Sequence, residues 1–172
     1  MTLDEMYEVM MAYSVWSIAN NLVTLFRSDQ TTTRARKPFV ILDIRNFQTK
    51  GLPTELEIDD NGIQRLRLDR SLTVNWTSFS DNLHQAEEIL NRVKDRLHTE
   101  QARREYFKSQ LVPRNVILGV QPIPQVESSF KESRAILEVE FAFSSNVFDD
   151  VGIIETIVVD NKIDDTQIIV SK

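Results

Sequence analysis

The stretch FKESRAILEVEFAF, residues 130–143, alternates apolar and polar residues over most of its length. Successive side chains of a β-strand point to opposite faces, so the run divides into two sets. One face receives Ala135, Leu137, Val139, Phe141 and Phe143. The other receives Arg134, Ile136, Glu138, Glu140 and Ala142. This pattern predicts a long strand in an antiparallel sheet, with one side on the core and the other side open.

Shorter β-prone runs lie on the N-terminal side of this strand. Asn61 and Gly62 are a strong two-residue hairpin signal, because both residues tolerate a positive φ. The arms on either side of them are therefore expected to pair antiparallel. In the first of the runs, Val40, Leu42 and Ile44 are expected to share one face. The predicted strands are residues 39–47, 55–58, 63–68, 71–79 and 115–122.

The N-terminal residues predict a long helix from about Leu3 to Phe26. Thr2 and Glu5 form a capping box, in which the hydroxyl and the carboxylate each satisfy a free amide at the helix start. The apolar residues of this helix fall into two stripes roughly a quarter-turn apart. The first stripe contains Leu3, Met6, Met10 and Tyr13, and the second contains Met11, Val15, Ile18, Leu22 and Phe26. The second stripe is either part of a wide buried face or the contact with a neighbouring subunit.

Two more helices are predicted in the middle of the chain. The first begins near Ser80 or Asp81, either of which can cap it. Its single apolar stripe consists of Leu83, Ala86, Leu90, Val93 and Leu97. The second helix covers about Glu100–Gln110 and is expected to end before Pro113, because proline breaks a helix. The predicted fold is α+β, with a mixed, mostly antiparallel β-sheet packed by a long N-terminal helix and a central helix pair.

The predicted domain is a single unit over residues 1–160, with a C-terminal tail at residues 161–172. IIETIVVD, residues 153–160, is expected to be the final strand of the sheet. The tail contains one more β-prone run, residues 167–170. A strand at a terminus is either an arm that adds to the edge of another sheet or a frayed end, and both readings stay open.

The composition excludes several classes of protein. In 172 residues, 41% are hydrophobic and 27% are charged, which favours a folded domain over a disordered chain. The formal charge of −6 argues against binding to phosphate backbones. The chain has no cysteine, no signal-peptide pattern at its start and no apolar run of the ~18 residues that span a bilayer. We therefore expect a soluble protein of a reducing cytoplasm, without a membrane partner.

No catalytic motif is recognisable in the sequence. The acidic doublets 59–60, 149–150 and 164–165 suit Mg²⁺ chemically, but they lie beside predicted turns, where aspartate bonds its own backbone. His84 and His98 are fourteen residues apart on one predicted helix, a spacing that forms no chelate. The four glycines form no phosphate-binding loop. We therefore expect no enzymatic activity, no metal and no cofactor, and a metal-dependent enzyme using the aspartates is the most remote hypothesis.

Arg34, Arg36 and Lys37 form the one local basic cluster of the sequence. They lie in the polar run RSDQTTTRARKP, residues 27–38, which lacks periodicity and predicts a loop. A solvated loop is the simpler interpretation of the cluster. Contact with nucleic acid or with an acidic partner is the alternative.

Several of these features together resemble the phage neck or tail-terminator family. They are Phe130, Glu132, Arg134 and Ala135 at the head of the long strand, the run DDVGIIETIVV after it, and KPFVIL at the start of the first strand. The order of elements agrees as well: helix, three or four strands, two helices, then three strands. The resemblance covers about residues 3–160. The chain departs from the family pattern in the polar loop 27–37 and after Asp160, which leaves the head-side partner open.

The resemblance implies a structural virion protein of the tail or neck, assembled in the host cytoplasm. Such proteins form a homo-oligomeric ring, usually a hexamer, on the tail tube protein, and offer a surface to the head connector or adaptor protein. Double-stranded DNA passes through the ring without specific binding. The alternative is a head-completion or adaptor protein that docks on the portal connector. The candidate subunit interface is Met11, Val15, Ile18, Leu22, Arg134, Glu138 and Glu140, and the candidate lumen or partner loop is Arg34, Arg36 and Lys37.

For Glu138 and Glu140, two roles are open. On the outward face of their strand they either pair with basic residues across a subunit boundary, where they would set register more than affinity, or face water.

Overall fold

A computed structural model describes residues 2–18, 23–30, 35–123, 133–151, 156–161 and 166–171, with the backbone alone for 105–109, 156–161 and 166–171. In the described residues one mixed sheet has the strand order β1-β2-β4-β6-β5, with β3 also paired to β4. The predicted α+β class, with its mostly antiparallel sheet, is confirmed. The elements are α1 (Leu3–Ile18), β1 (Thr24–Arg27), β2 (Phe39–Thr49), β3 (Thr54–Ile58), β4 (Ile63–Ser80), α2 (Leu83–Arg96), α3 (Glu100–Ser109), β5 (Val112–Ile123), β6 (Ser133–Asp150), β7 (Thr156–Asn161) and β8 (Thr166–Ser171).

Strand β6 confirms the predicted alternation. The five residues expected on the core face are all buried, and those between them are half-buried, apart from the exposed Arg134. The strand also runs beyond the predicted end at Phe143, as far as Asp150. The added residues contain neither glycine nor proline, so nothing in the local sequence ends the extended backbone there.

Strand β4 is one continuous strand of 18 residues, where two separate strands were predicted. Residues 69–70, at the expected break, are aspartate and arginine, which do not force a turn. Antiparallel pairing to β2 places Leu42 opposite Trp76 and Ile44 opposite Val74, all of them buried. The predicted shared face of β2 is therefore confirmed as the core face.

Helix α1 is shorter than predicted. The capping box is confirmed: Thr2 N donates to Glu5 Oε2 at 2.7 Å, and Glu5 N donates to Thr2 Oγ1 at 3.3 Å. The described helix ends at Ile18, and Phe26, which was predicted to be helical, lies in β1. This strand pairs in parallel with β2, and the ring of Phe26 packs edge-on against Phe39 at 5.9 Å. Sheet pairing of a β-prone segment thus outweighs a helical spacing of its apolar residues.

The core lies between α1, α2 and one face of the sheet. Trp76, fully buried in β4, donates its Nε1–H to Ser14 Oγ at 2.8 Å. Ser14 Oγ in turn donates to the carbonyl of Met10 at 2.6 Å. Tyr13 Oη donates to the carbonyl of Val93 in α2 at 2.8 Å. A buried polar group that loses its hydrogen-bond partner is costly, so these contacts favour one position of α1 on the sheet.

The central helices differ from the prediction at their ends. Asn82 caps α2 by accepting the amide of His84 at 3.0 Å, so the cap is neither Ser80 nor Asp81. The predicted stripe is buried except for Leu83, which is exposed. Helix α3 ends at Ser109, where the next residue, Gln110, takes a positive φ of 59°. Pro113 is not its stop, since it already lies in β5.

The β3–β4 hairpin confirms the predicted antiparallel arms. Its turn is held by the carboxylate of Asp59, which accepts the amides of Asn61 and Ile63, both at 2.9 Å. Gly62 supplies the positive φ of 78°. The expectation that residues 153–160 close the main sheet is wrong for the described residues 156–160, because β7 pairs antiparallel with β8 in a separate two-stranded sheet.

The chain contains two compact units. The first comprises residues 1–51 and 69–145, with α1, α2, α3 and most of the main sheet. The second comprises residues 52–68 and 146–172, with the β3–β4 hairpin, the end of β6, and the β7–β8 pair.

The Ser14 contact gives a stability prediction. Ser14→Ala removes the acceptor of the buried Trp76 indole, which should lower the free energy of unfolding by about 1–3 kcal/mol. The control is Ser17→Ala: Ser17 is also fully buried in α1, and its Oγ has no hydrogen-bond partner among the described residues. This control should leave stability unchanged or raise it. Urea unfolding at one protein concentration, followed by tryptophan fluorescence, measures both, and equal losses would contradict the assignment.

The Arg27 guanidinium gives a pH prediction. Its Nε and Nη2 donate to the two carboxylate oxygens of Asp29 at 3.0 and 2.7 Å, and Nη2 also donates to Asp4 at 2.7 Å. The hydrogen bonds from Arg27 to the Asp29 carboxylate lower the pKa of Asp29 from its ordinary value of 3.8. A depressed folded-state pKa stabilises the fold above pH 3.8, and this contribution is lost as the pH falls through the lower folded-state value.

Asp29→Asn should therefore flatten the acid dependence of stability. We expect the urea midpoint of the wild-type chain to fall more steeply than that of the variant between about pH 5 and pH 2. Asp95→Asn, on the exposed side of α2, is the control and should follow the wild type. Parallel curves for wild type and Asp29→Asn would show that the Arg27 contact does not form in solution.

Candidate assembly surfaces

The outer side of α1 carries an exposed apolar residue. Val15 is 61% exposed, and Met11, one turn earlier, is half-buried against the core. Ile18 is 2% exposed and belongs to the core, so its prediction as an interface residue is corrected: the chain's own packing already covers it. Leu22 lies outside the described residues. The predicted second stripe therefore reaches the surface at Val15 and, in part, at Met11.

The open face of the sheet carries an aromatic row that the sequence analysis missed. Phe26 of β1, Phe39 of β2 and Phe79 of β4 stand side by side, with ring centroids 5.9 and 4.6 Å apart. Arg134 of β6 places its guanidinium carbon 5.0 Å from the centroid of the Phe79 ring. The three rings are half-buried and the arginine is exposed. The three rings lie on three strands, and Arg134 adds a fourth strand. Their alignment depends on the register between strands, so the alternation within one strand does not predict it.

Glu138 and Glu140 already have partners within the chain. Asn75 Nδ2 donates to Glu138 Oε1 at 3.2 Å, and Lys50 Nζ lies 3.3 Å from Glu140 Oε1. Both glutamates are half-buried, on the same face as Arg134. Their first role is therefore to hold β6 against residues of β4 and of the segment after β2.

The basic cluster divides in the structure. Lys37 Nζ forms an ion pair with Asp81 Oδ1 at 3.1 Å, which ties the start of β2 to the turn before α2. Arg36 is exposed, and Arg34 lies outside the described residues. The exposed charge of this cluster, within the described part of the chain, is thus Arg36.

The described residues hold no arrangement that suits a metal ion. No three carboxylate or imidazole side chains converge among them. The carboxylate of Asp59 is engaged by the turn amides, which confirms the turn role for the first acidic doublet. Residues 164–165 lie outside the described residues. None of the described helices is long and apolar enough to cross a bilayer.

The second unit presents an apolar surface that sequence reasoning did not identify. A cleft of about 520 Å³ is lined by Leu56, Ile58, Ile63 and Phe148, with Glu57, Asp59 and Arg65 beside them. Ile58 and Phe148 are 53% and 67% exposed. The available signal was the apolar pair Val147 and Phe148 in the otherwise polar run SSNVFDD, residues 144–150.

These surfaces suit contacts with other proteins more than chemistry on a small molecule. They combine exposed apolar and aromatic side chains with charged residues at their borders, as protein interfaces do. What this arrangement supports is assembly.

Comparison with protein families agrees with this conclusion. The family model described as phage neck terminator protein matches residues 5–167. A search of curated protein sequences gave no match. The matched range includes both compact units almost completely. The chain therefore belongs to the phage neck terminator protein family, which is a family of structural proteins of the virion.

Proposed function

We propose that this chain closes into a homo-oligomeric ring, a hexamer, that caps the phage tail tube and joins it to the head. The family match over residues 5–167 carries the proposal. The surfaces on the first unit support it, because a protein that acts by assembly must leave apolar side chains exposed for its neighbours. Val15 is such a side chain, and the half-buried rings of Phe26, Phe39 and Phe79 add a partly exposed aromatic row.

The ring requires two different surfaces on each subunit. In a closed head-to-tail ring, one patch on each subunit meets a different patch on the next subunit. The outer side of α1 around Val15 and Met11 is the first patch. The open sheet face, with the aromatic row and Arg134 at its end, is the second. Glu138 and Glu140 then lie within this second patch, held in place by Asn75 and Lys50.

Double-stranded DNA passes through the ring without specific binding. The net charge of −6 supports this, since a lumen rich in basic residues would retain phosphates and slow the passage of DNA. The exposed Arg36 lies on a loop that faces the lumen or a partner. The remaining partners are the tail tube protein and the head connector or adaptor protein, and assembly takes place in the host cytoplasm.

Purified tail tubes test the proposal directly. Tubes of the phage that encodes the chain, incubated with the purified protein, should carry a ring with a central hole at one end in negative-stain images. Further tube protein should then no longer extend that end. Binding to isolated connector rings, with uncapped tubes, would instead favour the head-completion alternative.

The α1 patch gives a prediction about the ring. Val15→Asp places a charge in the proposed contact and should weaken subunit association about 100-fold or more. The fold of each subunit should persist, because this side chain is exposed. The control is Asn91→Asp, which adds the same charge at an exposed position of α2. Light scattering coupled to size exclusion measures the mass, and a ring unchanged by Val15→Asp would remove α1 from the interface.

A further inference from the structure

The cleft of the second unit has the character of a docking site. Half of the exposed large apolar side chains among the described residues, six of twelve, belong to residues 52–68 and 146–151. These six are Leu52, Leu56, Ile58, Val147, Phe148 and Val151. Exposed apolar side chains gathered in so short a part of a chain mark an interaction surface more often than chance exposure.

The charge of the chain is distributed very unevenly between the two units. The first unit contains sixteen acidic and sixteen basic residues, and the second contains ten acidic and four basic residues. The whole formal charge of −6 therefore resides in the second unit. At the cleft itself the acidic residues Glu57 and Asp59 outnumber the one basic residue, Arg65.

We propose that the cleft between β3, β4 and the end of β6 binds an apolar segment of a different virion protein, in which lysine or arginine flanks the apolar residues. This rests on the proposed function, since it assigns a head-side or tail-side partner to the same ring. Apolar side chains of the partner enter the cleft beside Phe148 and Ile58, and its basic residues meet the acidic border. Opposite charges at such a border speed the encounter and fix the orientation of the partner.

A second copy of this chain fits the cleft less well. Two second units would bring like charges together, which disfavours their contact. In the described part of the first unit, several basic residues are already in ion pairs with acidic residues of the same unit, such as Lys37 with Asp81 and Lys50 with Glu140. The charge balance therefore points to a partner of different sequence.

Two substitutions at the cleft test this inference. Phe148→Ser removes an exposed aromatic ring, and Glu57→Lys reverses one border charge. Neither side chain is buried, so both variants should fold and form the same ring as the wild type. The controls make the same kinds of change in the first unit, at exposed positions of α2, outside the proposed ring patches: Leu83→Ser and Asp95→Lys.

The probes are tailless heads and headless tails, purified separately from the phage that encodes the chain. We expect the wild type to bind one of the two particles, with weaker binding as salt rises from about 50 to 300 mM. Phe148→Ser should weaken this binding about 10-fold or more, and Glu57→Lys should weaken it and reduce its salt dependence. Both controls should bind like the wild type.

Three results would overturn the inference. The first is that both cleft variants bind the particle as tightly as the wild type does. The second is that the wild type binds neither particle. The third is a loss of ring mass in Phe148→Ser by light scattering, because the cleft would then be a contact between copies. Ring formation by the wild type is measured separately in the same experiment, so failure of the ring is distinguished from failure of the cleft.

Discussion

The hydrogen bond from the Trp76 indole to Ser14 connects the two layers of this fold. Trp76 lies in β4, the central strand in the order β1-β2-β4-β6-β5, so a helix fixed to it covers the centre of the sheet. Burial of the indole ring stabilises the packing of helix on sheet. The hydrogen bond fixes the position of the helix, since a buried N–H donor without an acceptor is costly. The same contact determines which face of the sheet the helices cover. The face with Phe39 and Phe79 is then left for other contacts.

That division of surfaces agrees with membership of a structural family. No three metal-ligating side chains converge among the described residues, whereas exposed apolar side chains occur on both compact units. On the first unit they include Val15, in addition to the half-buried aromatic row, and on the second they line the cleft around Phe148. The two groups differ in charge: the first unit is balanced, and the second carries the net negative charge. This difference is the reason why we propose ring contacts for the first unit and a basic partner for the second.

The sequence predicted those features that depend on neighbours within one element. Alternation in β6, the shared face of β2, the capping box of Thr2 and Glu5, and the turn role of Asp59 are of this kind. Features set by pairing between elements were missed. Phe26 has helical spacing to Ile18 but lies in β1, because this segment pairs with β2. The aromatic row depends on the register between neighbouring strands. Ile18 was assigned to a subunit interface, because spacing alone does not tell a second core stripe from a surface.

The central claim is that this chain acts in the virion through contacts between its own copies and with its neighbours. Cryo-electron microscopy of the neck of intact virions tests it most directly. The account predicts a closed ring of this chain between tail tube and head, with Val15 of each copy against the sheet face of the next and DNA in the central channel. A reconstruction in which the neck lacks this chain, or holds it as separate subunits, would contradict the account.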